Sequence, residues 1–205
     1  MTQLIPTPQK VDLYRERSAF FRAPRLPELV ELPEAAFLVV SGEGSPESQA
    51  FQDAIGALYS VAYTLKMSGK SEGHDFKVPT FEGLWWMLSD GAELPRERWH
   101  WQLLMMVPDF VSEASVEAAK EQLKARKKEL KARLRFDRIR QGLCVQMLHV
   151  GPYETEPGSI EKMTAFIDEL GLKQRGPHHE VYLGDPRRSK PEALKTILRQ
   201  PVEPA

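Results

Sequence analysis

The segment His178-His179-Glu180-Val181-Tyr182-Leu183 sets a carboxylate in the middle of an apolar run. On an extended strand, residues two apart share a face. Val181 and Leu183 therefore point one way, and His178, Glu180 and Tyr182 the other. A carboxylate on a covered face is costly unless something pairs with it, while a sheet face open to water would accept it freely. The segment Pro79-Thr80-Phe81-Glu82-Gly83-Leu84-Trp85-Trp86 offers a second carboxylate in similar company. Gly83 signals a bulge or a close backbone approach. Trp85 and Trp86 are adjacent, so without a bulge only one of them can point inward, and one is expected to face the same space as Glu82.

Aromatic residues gather around these two segments. Trp85, Trp86, Trp99 and Trp101 fall within seventeen residues, and Tyr59 and Tyr63 stand at i, i+4 on a helical pattern. Rings supply stacking and cation–π attraction and a carboxylate supplies charge, so a box of this kind suits a flat or cationic organic molecule. Ordinary core packing accounts for the same tryptophans. His149 and Tyr153 close a later strand and are further candidates for ligand contact. A set of His149, His178 and Glu180 lacks the His-x-x-x-His or His-Glu-x-x-His spacing of a zinc site, so neither a metal nor any other cofactor is expected. Cys144 lies mid-strand with its side chain directed opposite to His149, as an inert core thiol would. Gly-x-Gly-x-x-Gly, Walker and Gly-x-Ser-x-Gly patterns are absent from the sequence, which removes support for nucleotide binding and serine hydrolysis.

The elements that must position these groups read as follows. Residues 1–34 are polar and proline-interrupted and form an arm with at most one short helix. Ala36–Val40 reads as a buried strand. Ser45-Pro46 opens a helix through Phe51, Ile55, Leu58, Ala62 and Leu65 that Ser68-Gly69 ends. Phe76–Met87 and Trp99–Val107 read as strands around a turn at Asp90-Gly91. A long helix from Ser112 or Ser115 to about Leu134 follows. Leu143–Val150 (strand), Ile160–Leu170 (helix), His178–Leu183 (strand), a turn at Gly184-Asp185-Pro186 and Leu194–Pro201 (strand) repeat the order of the first half. The Pro-x-x-Glu of Pro79–Glu82 recurs as Pro177–Glu180 at the same place in that order. The expected division is an arm at 1–34 and one domain at 35–202. That domain comprises half one at 35–110, a connecting helix at 112–135 and half two at 142–202.

Composition narrows the function classes. With 28 Lys+Arg against 29 Asp+Glu among 205 residues, the net charge of −1 does not suit a protein that coats nucleic acid or an anionic membrane. Residues 120–140 carry ten basic and three acidic side chains. Without interleaved aromatics before Phe136, this reads as the solvated face of a connecting helix rather than a nucleic-acid patch. A single cysteine excludes a disulfide framework within the chain. The apolar runs are too short to span a bilayer, and residues 1–10 lack the apolar core of a signal peptide, so a cytoplasmic place is expected. The expected partner is a small-molecule ligand, with no nucleic acid and no membrane, and the oligomeric state stays open.

Taken together, Pro79–Trp86, Tyr59-Ser-Val-Ala-Tyr63-Thr-Leu-Lys66 and His179–Leu183 with Asp185-Pro186 resemble the GyrI-like small-molecule-binding domain over about residues 35–202. The resemblance implies an α+β fold of two βαββ units in pseudo-two-fold arrangement around a central ligand cleft, with the basic helix connecting them. It implies a cleft glutamate among aromatic rings, at Glu180 here. In multidrug-responsive activators this domain is fused to a DNA-binding helix-turn-helix, for which residues 1–34 leave no room, so a stand-alone member is expected. Members with a Trp-Trp motif are similar to hydrolases that open the cyclopropane ring of alkylating natural products. In such an enzyme Glu180 would act as general base on water, with Tyr63 or Tyr182 donating a hydrogen bond to the developing oxyanion. Glu82, Trp85, Trp86, Tyr59, Tyr182, His149 and Tyr153 would line the ligand. A non-catalytic sensor or sequestering protein would need only the pocket, and a gyrase-inhibitor-like protein would need a partner-binding surface.

Overall fold

The computed structural model describes residues 10–86, 88–89, 92–185 and 188–205. The turn at Asp90-Gly91, the first nine residues of the arm and Pro186 lie outside the described residues. In chain order the elements are α1 (Leu13–Glu16), α2 (Ser18–Phe21), β1 (Glu28–Glu43), α3 (Gln49–Ser71), β2 (Glu82–Trp86), β3 (Leu88–Ser89), β4 (Ala92–Glu93), β5 (His100–Val107), α4 (Glu113–Ala125), β6 (Leu134–Val150), α5 (Pro157–Glu169), β7 (Leu172–Gln174), β8 (His178–Tyr182) and β9 (Lys195–Pro204). Among the described residues, no helix is long and apolar enough to cross a membrane.

The fold is mixed α and β, built on an antiparallel sheet that closes on itself. Its strand order is β6-β1-β5-β2-β8-β9, and β9 pairs back onto β6 to complete a barrel, with β7 added on β9. Strand alternation then divides the core in two. Phe37, Val39, Leu104, Met106, Cys144, Val181 and Ile197 fill the inside. Ala36, Leu38, Val40, Leu103, Met105 and Trp85 face outward under α3 and α4, while Val145, Met147 and Leu198 face outward under α5. The stripe Phe51, Ala54, Leu58, Val61, Ala62 and Leu65 recurs at helical spacing and is buried, which holds α3 on the sheet.

Several boundaries differ from the sequence expectation, each for a physical reason. The cap of α3 is Ser48 rather than Ser45, because the Ser48 hydroxyl accepts the Phe51 N–H at 3.3 Å. Strand β1 starts at Glu28 instead of Ala36 and runs through Pro33, with Leu32 opposite Gly142 and Glu34 opposite Arg140 on either side of the proline. The basic stretch is not one helix to Leu134. It ends at Ala125, Lys127 takes a left-handed conformation (φ 55°), and Leu134 onward is already β6. The charged half of that strand is held by cross-strand pairs, Arg138 to Glu34 at 2.8 Å and Arg140 to Glu31 at 3.0 Å. The arm is also more than a polar tail, since Leu13, Phe20 and Phe21 are buried against the barrel interior.

Candidate functional site

Strands β2 and β8 lie side by side, with Glu82 opposite Val181 and Gly83 opposite Glu180. Directly opposed residues share a face. Glu82 therefore points into the barrel with Val181, while Glu180 points outward with Gly83, on the outer face of the sheet. The two glutamates of the repeated Pro-x-x-Glu lie on neighbouring strands but opposite faces, because a one-residue offset exchanges faces. The polar residue of β8 that shares the face of Glu82 is His179, and the expectation that Glu82 joins Glu180 in one pocket is corrected accordingly.

Inside the barrel, His179 Nε2 lies 2.8 Å from Glu82 Oε2, and both side chains are fully buried. Burial lowers the His179 pKa, even with Glu82 acting against it. Arg199, opposite His179, extends this polar interior. Its guanidinium donates to Gln146 Oε1 (2.9 and 3.1 Å), to Gln141 Oε1 (2.8 Å) and to the Phe20 carbonyl (3.0 Å). The last bond ties the arm to the last strand.

On the outer face the groups are differently arranged. Trp85 Nε1 donates to the Tyr182 hydroxyl at 3.0 Å, and Tyr182 hydrogen-bonds Glu180. Gly83 makes this possible. A Cβ there would stand 2.7 Å from Trp85 Nε1 and 2.9 Å from the Tyr182 oxygen, so the glycine serves a close approach, with the ladder continuous through it. Phe81 tilts against Tyr182 (5.0 Å between centroids), Tyr153 meets it edge-on (6.3 Å), and Tyr59 meets Phe81 edge-on (6.5 Å). Trp85 is buried and stacked on Phe51, whereas Trp86 faces the other way and is half-exposed. Of the pair, Trp85 is the one that belongs to this cluster.

The electrostatics of this face centre on carboxylates. Burial pushes Glu180 up to about 7, with the Tyr182 hydroxyl pulling it back down. His178 stands 3.6 Å away but is held neutral, its pKa pushed down to about 4 by burial and then by His179. Glu156, which sequence reasoning did not single out, belongs here too. Burial and then the charge of Glu180 push it up to about 8, while a hydrogen bond with Thr196 pulls it down. Thr196 pairs with Tyr182 on one side and His149 on the other. Burial, then Glu180, raises the Tyr153 hydroxyl to about 12, so it stays protonated. The two carboxyl groups interact, so that ionising one makes the other hold its proton more tightly.

His149 plays a supporting part. Nδ1 lies 2.9 Å from Ser159 Oγ, and Nε2 lies 3.1 Å from Thr155 Oγ1 and 3.2 Å from the Pro152 carbonyl. These contacts anchor the turn carrying Tyr153 and Glu156. Tyr63 lies elsewhere. It stacks on Tyr59 (6.2 Å) and lines an open groove between α3 and α4. Cys144 is buried in the barrel interior, its thiol pushed up to about 11 by burial, in keeping with an unreactive core residue. Among the described residues, no cluster of three or more His, Cys, Asp or Glu is placed to hold a metal ion.

Comparison with known proteins adds to this geometry. The family model of the GyrI-like small molecule binding domain matches residues 105–203. An uncharacterized conserved protein from Listeria innocua superimposes with a TM-score of 0.89 at 39% identity, over 95% of this chain and 100% of that one. A hydrolase from the same organism superimposes with a TM-score of 0.86 at 38% identity, over the same shares of the two chains. The C-terminal domain of EcmrR shares the fold alone, with a TM-score of 0.57 at 14% identity, over 87% of this chain and 98% of that one. No curated protein matches the chain.

Proposed function

This chain belongs to the GyrI-like family of small-molecule-binding domains, and from that premise we propose that the outer face of β2 and β8 receives flat lipophilic or cationic small molecules and hydrolyses cyclopropanoid alkylating agents among them. The observation that carries the reading is Glu180: a half-buried carboxylate among aromatic rings, hydrogen-bonded to a tyrosine, whose ion-pair neighbour among the described residues is a neutral histidine. A half-buried anion without a cation of its own is what a cationic ligand, or a water to be deprotonated, would answer. The superposable hydrolase at 38% identity adds weight to the catalytic half.

In the proposed step, a water oxygen bonds to a carbon of the strained ring and the ring C–C bond breaks. Its electron pair passes to the conjugated carbonyl oxygen, and the water proton goes to Glu180. Tyr182 orients Glu180, and Trp85 orients Tyr182. The protonated Tyr153 hydroxyl donates to the developing oxyanion, a role that Tyr63 is too far along α3 to fill. Glu156, with its pKa raised to about 8, returns a proton to the product. One carboxyl that ionises more readily and one that holds its proton divide base from acid. General base catalysis of this kind contributes ~10²–10⁴-fold.

We also propose that the halves β1-α3-β2-β5 and β6-α5-β8-β9 are related by a pseudo-two-fold axis through the Gly83–Glu180 pair. This would make Glu82 and His179, and Trp85 and Tyr182, the corresponding positions. The one-residue offset follows from the register, since an axis normal to the sheet preserves faces.

The test is turnover of a cyclopropane-containing alkylator by the wild type and by Glu180→Gln. Turnover is expected to fall at least ~10²-fold, while a neutral, unreactive analogue keeps its affinity within about threefold because the rings supply most of it. Retained turnover refutes the base assignment. A wild type that binds but never turns over such substrates leaves the sensor or sequestering role as the function.

A further inference from the structure

The groove between α3 and α4 adjoins the Glu180 cluster through Tyr59 and has its own chemistry. It encloses about 600 Å³, within the range of small-molecule sites. Leu123 is its buried floor, and the stacked rings of Tyr59 and Tyr63 form one wall. Met67 extends that wall. Tyr63 is 53% and Met67 63% exposed, a large apolar surface for side chains on a helix otherwise packed along its stripe. Met adapts its shape to varied partners. Ser60 and Thr64 also line it, with the Thr64 hydroxyl turned back onto the Ser60 carbonyl at 2.8 Å, and Ser68 Oγ donates to Gln122 Oε1 at 3.2 Å.

The mouth is cationic. Arg126 and Lys128 line it, on the turn that follows α4. Among the described residues, neither is within ion-pair distance of a carboxylate, whereas Lys66, Lys77, Lys120 and Lys131 each are. The left-handed Lys127 between them fixes the turn and sets the two flanking side chains at the groove. Apolar rings at one end and two unneutralised cations at the other complement a molecule built in the opposite sense, with an apolar body and an anionic head.

We propose that this groove is a second ligand site, distinct from the Glu180 cleft, and that it takes amphipathic organic anions: an aromatic or alkyl body on Tyr59, Tyr63 and Met67, and a carboxylate, sulfonate or phosphate head on Arg126 and Lys128. The two sites then sort ligands by charge. The cleft carries a half-buried carboxylate and disfavours anions. The groove carries cations at its mouth and disfavours lipophilic cations. Tyr59 stands between them, its ring edge on Phe81 of the cleft and its face on Tyr63 of the groove.

The probe is 8-anilinonaphthalene-1-sulfonate, titrated against the whole chain by fluorescence and calorimetry, with N-phenyl-1-naphthylamine as the uncharged counterpart. One saturable sulfonate site is expected. Arg126→Glu with Lys128→Glu should weaken it at least ~10-fold and leave the uncharged probe within about twofold. Glu180→Gln should leave the sulfonate affinity unchanged, which separates this proposal from the cleft reading. Circular dichroism and a melting curve confirm that the exposed substitutions leave the fold intact, and Arg126→Ala with Lys128→Ala should give an intermediate loss. Equal sulfonate affinity in the charge-reversed protein overturns the proposal. So does a failure to saturate, or a site lost in Glu180→Gln.

Discussion

Successive residues of β8 meet two different environments. His179 enters the barrel and finds Glu82 at 2.8 Å, with Arg199 opposite it on the next strand. Glu180 leaves on the other side and finds rings, a hydroxyl and a second carboxyl group that is itself reluctant to ionise. The interior cluster holds the Glu82 carboxylate on a hydrogen bond to His179 and in the field of the buried Arg199, which ties the arm to the last strand, so it is a structural device. The outer cluster gathers carboxyl groups under a roof of tyrosines, at a cost in stability. Burial alone therefore does not single out the carboxylate proposed to meet a ligand, since Glu82 is the more buried of the two. What separates them is whether the folded chain itself supplies the counter-charge.

The largest effect that distinguishes the two regions is on folding. Glu82→Ala leaves His179 and Arg199 without their anion and should destabilise the protein by about 3–5 kcal/mol. Glu180→Gln should be neutral or stabilising, because it removes a half-buried charge. Equal losses in urea unfolding of the two variants would erase the distinction.

Gly83→Ala comes next. The added methyl strikes the Trp85–Tyr182 hydrogen bond and should cost about 1–3 kcal/mol, while tryptophan emission loses its response to cleft ligands. A variant that melts like the wild type and still reports ligand would show that the close approach has slack.

The smallest effect is a pH dependence. A carboxyl whose folded pKa lies above its unfolded value binds more protons folded than unfolded, so stability falls as pH rises through that interval. Glu180 and Glu156, at about 7 and about 8, act in this sense from about pH 4.5 upward. The lowered histidines act oppositely, but only below their unfolded value near 6.5. Between pH 6.5 and 8 the carboxyls alone are left, and melting temperature should drop by a few degrees, at roughly 2–4 °C per kcal/mol for a chain of this size. Glu156→Gln with Glu180→Gln should flatten that slope. An unchanged slope would move its origin elsewhere.

Alternation made much of the outer cluster legible in the sequence. It set Glu180 with Tyr182 and His178, split Trp85 from Trp86, and opposed His149 to Cys144. Glu156 was not legible. It follows the turn at Gly151-Pro152, sits next to Pro157 at the start of α5, and has no strand or helix period behind it; its meaning comes from Thr196, forty residues on. The repeated Pro-x-x-Glu was legible as a repeat but not in its register, because a sequence match does not say which face a residue meets. The basic half of β6 resisted for a related reason. Its charges are satisfied by Glu31 and Glu34 on β1, more than a hundred residues away, and a strand stabilised by such pairs looks like a solvated helix when read alone. The closure of the sheet is a pairing of β6 with β9 that no local pattern announces.

That closure bears on how the chain reaches its native state. The pairings of β1 with β6, β1 with β5 and β2 with β8 join residues from 57 (Glu43–His100) to 118 (Glu28–Gln146) positions apart. Each must overcome loop-closure entropy before neighbouring contacts reward it. Chains with such high contact order cross their folding barrier in milliseconds to seconds, not microseconds. The Arg199–Phe20 bond, spanning 179 positions, forms only once the last strand is in place. A nascent chain would thus make its arm well before β9 and seat it only after β9, and the aromatic residues of that arm would stay exposed to chaperones until β9 has been synthesised.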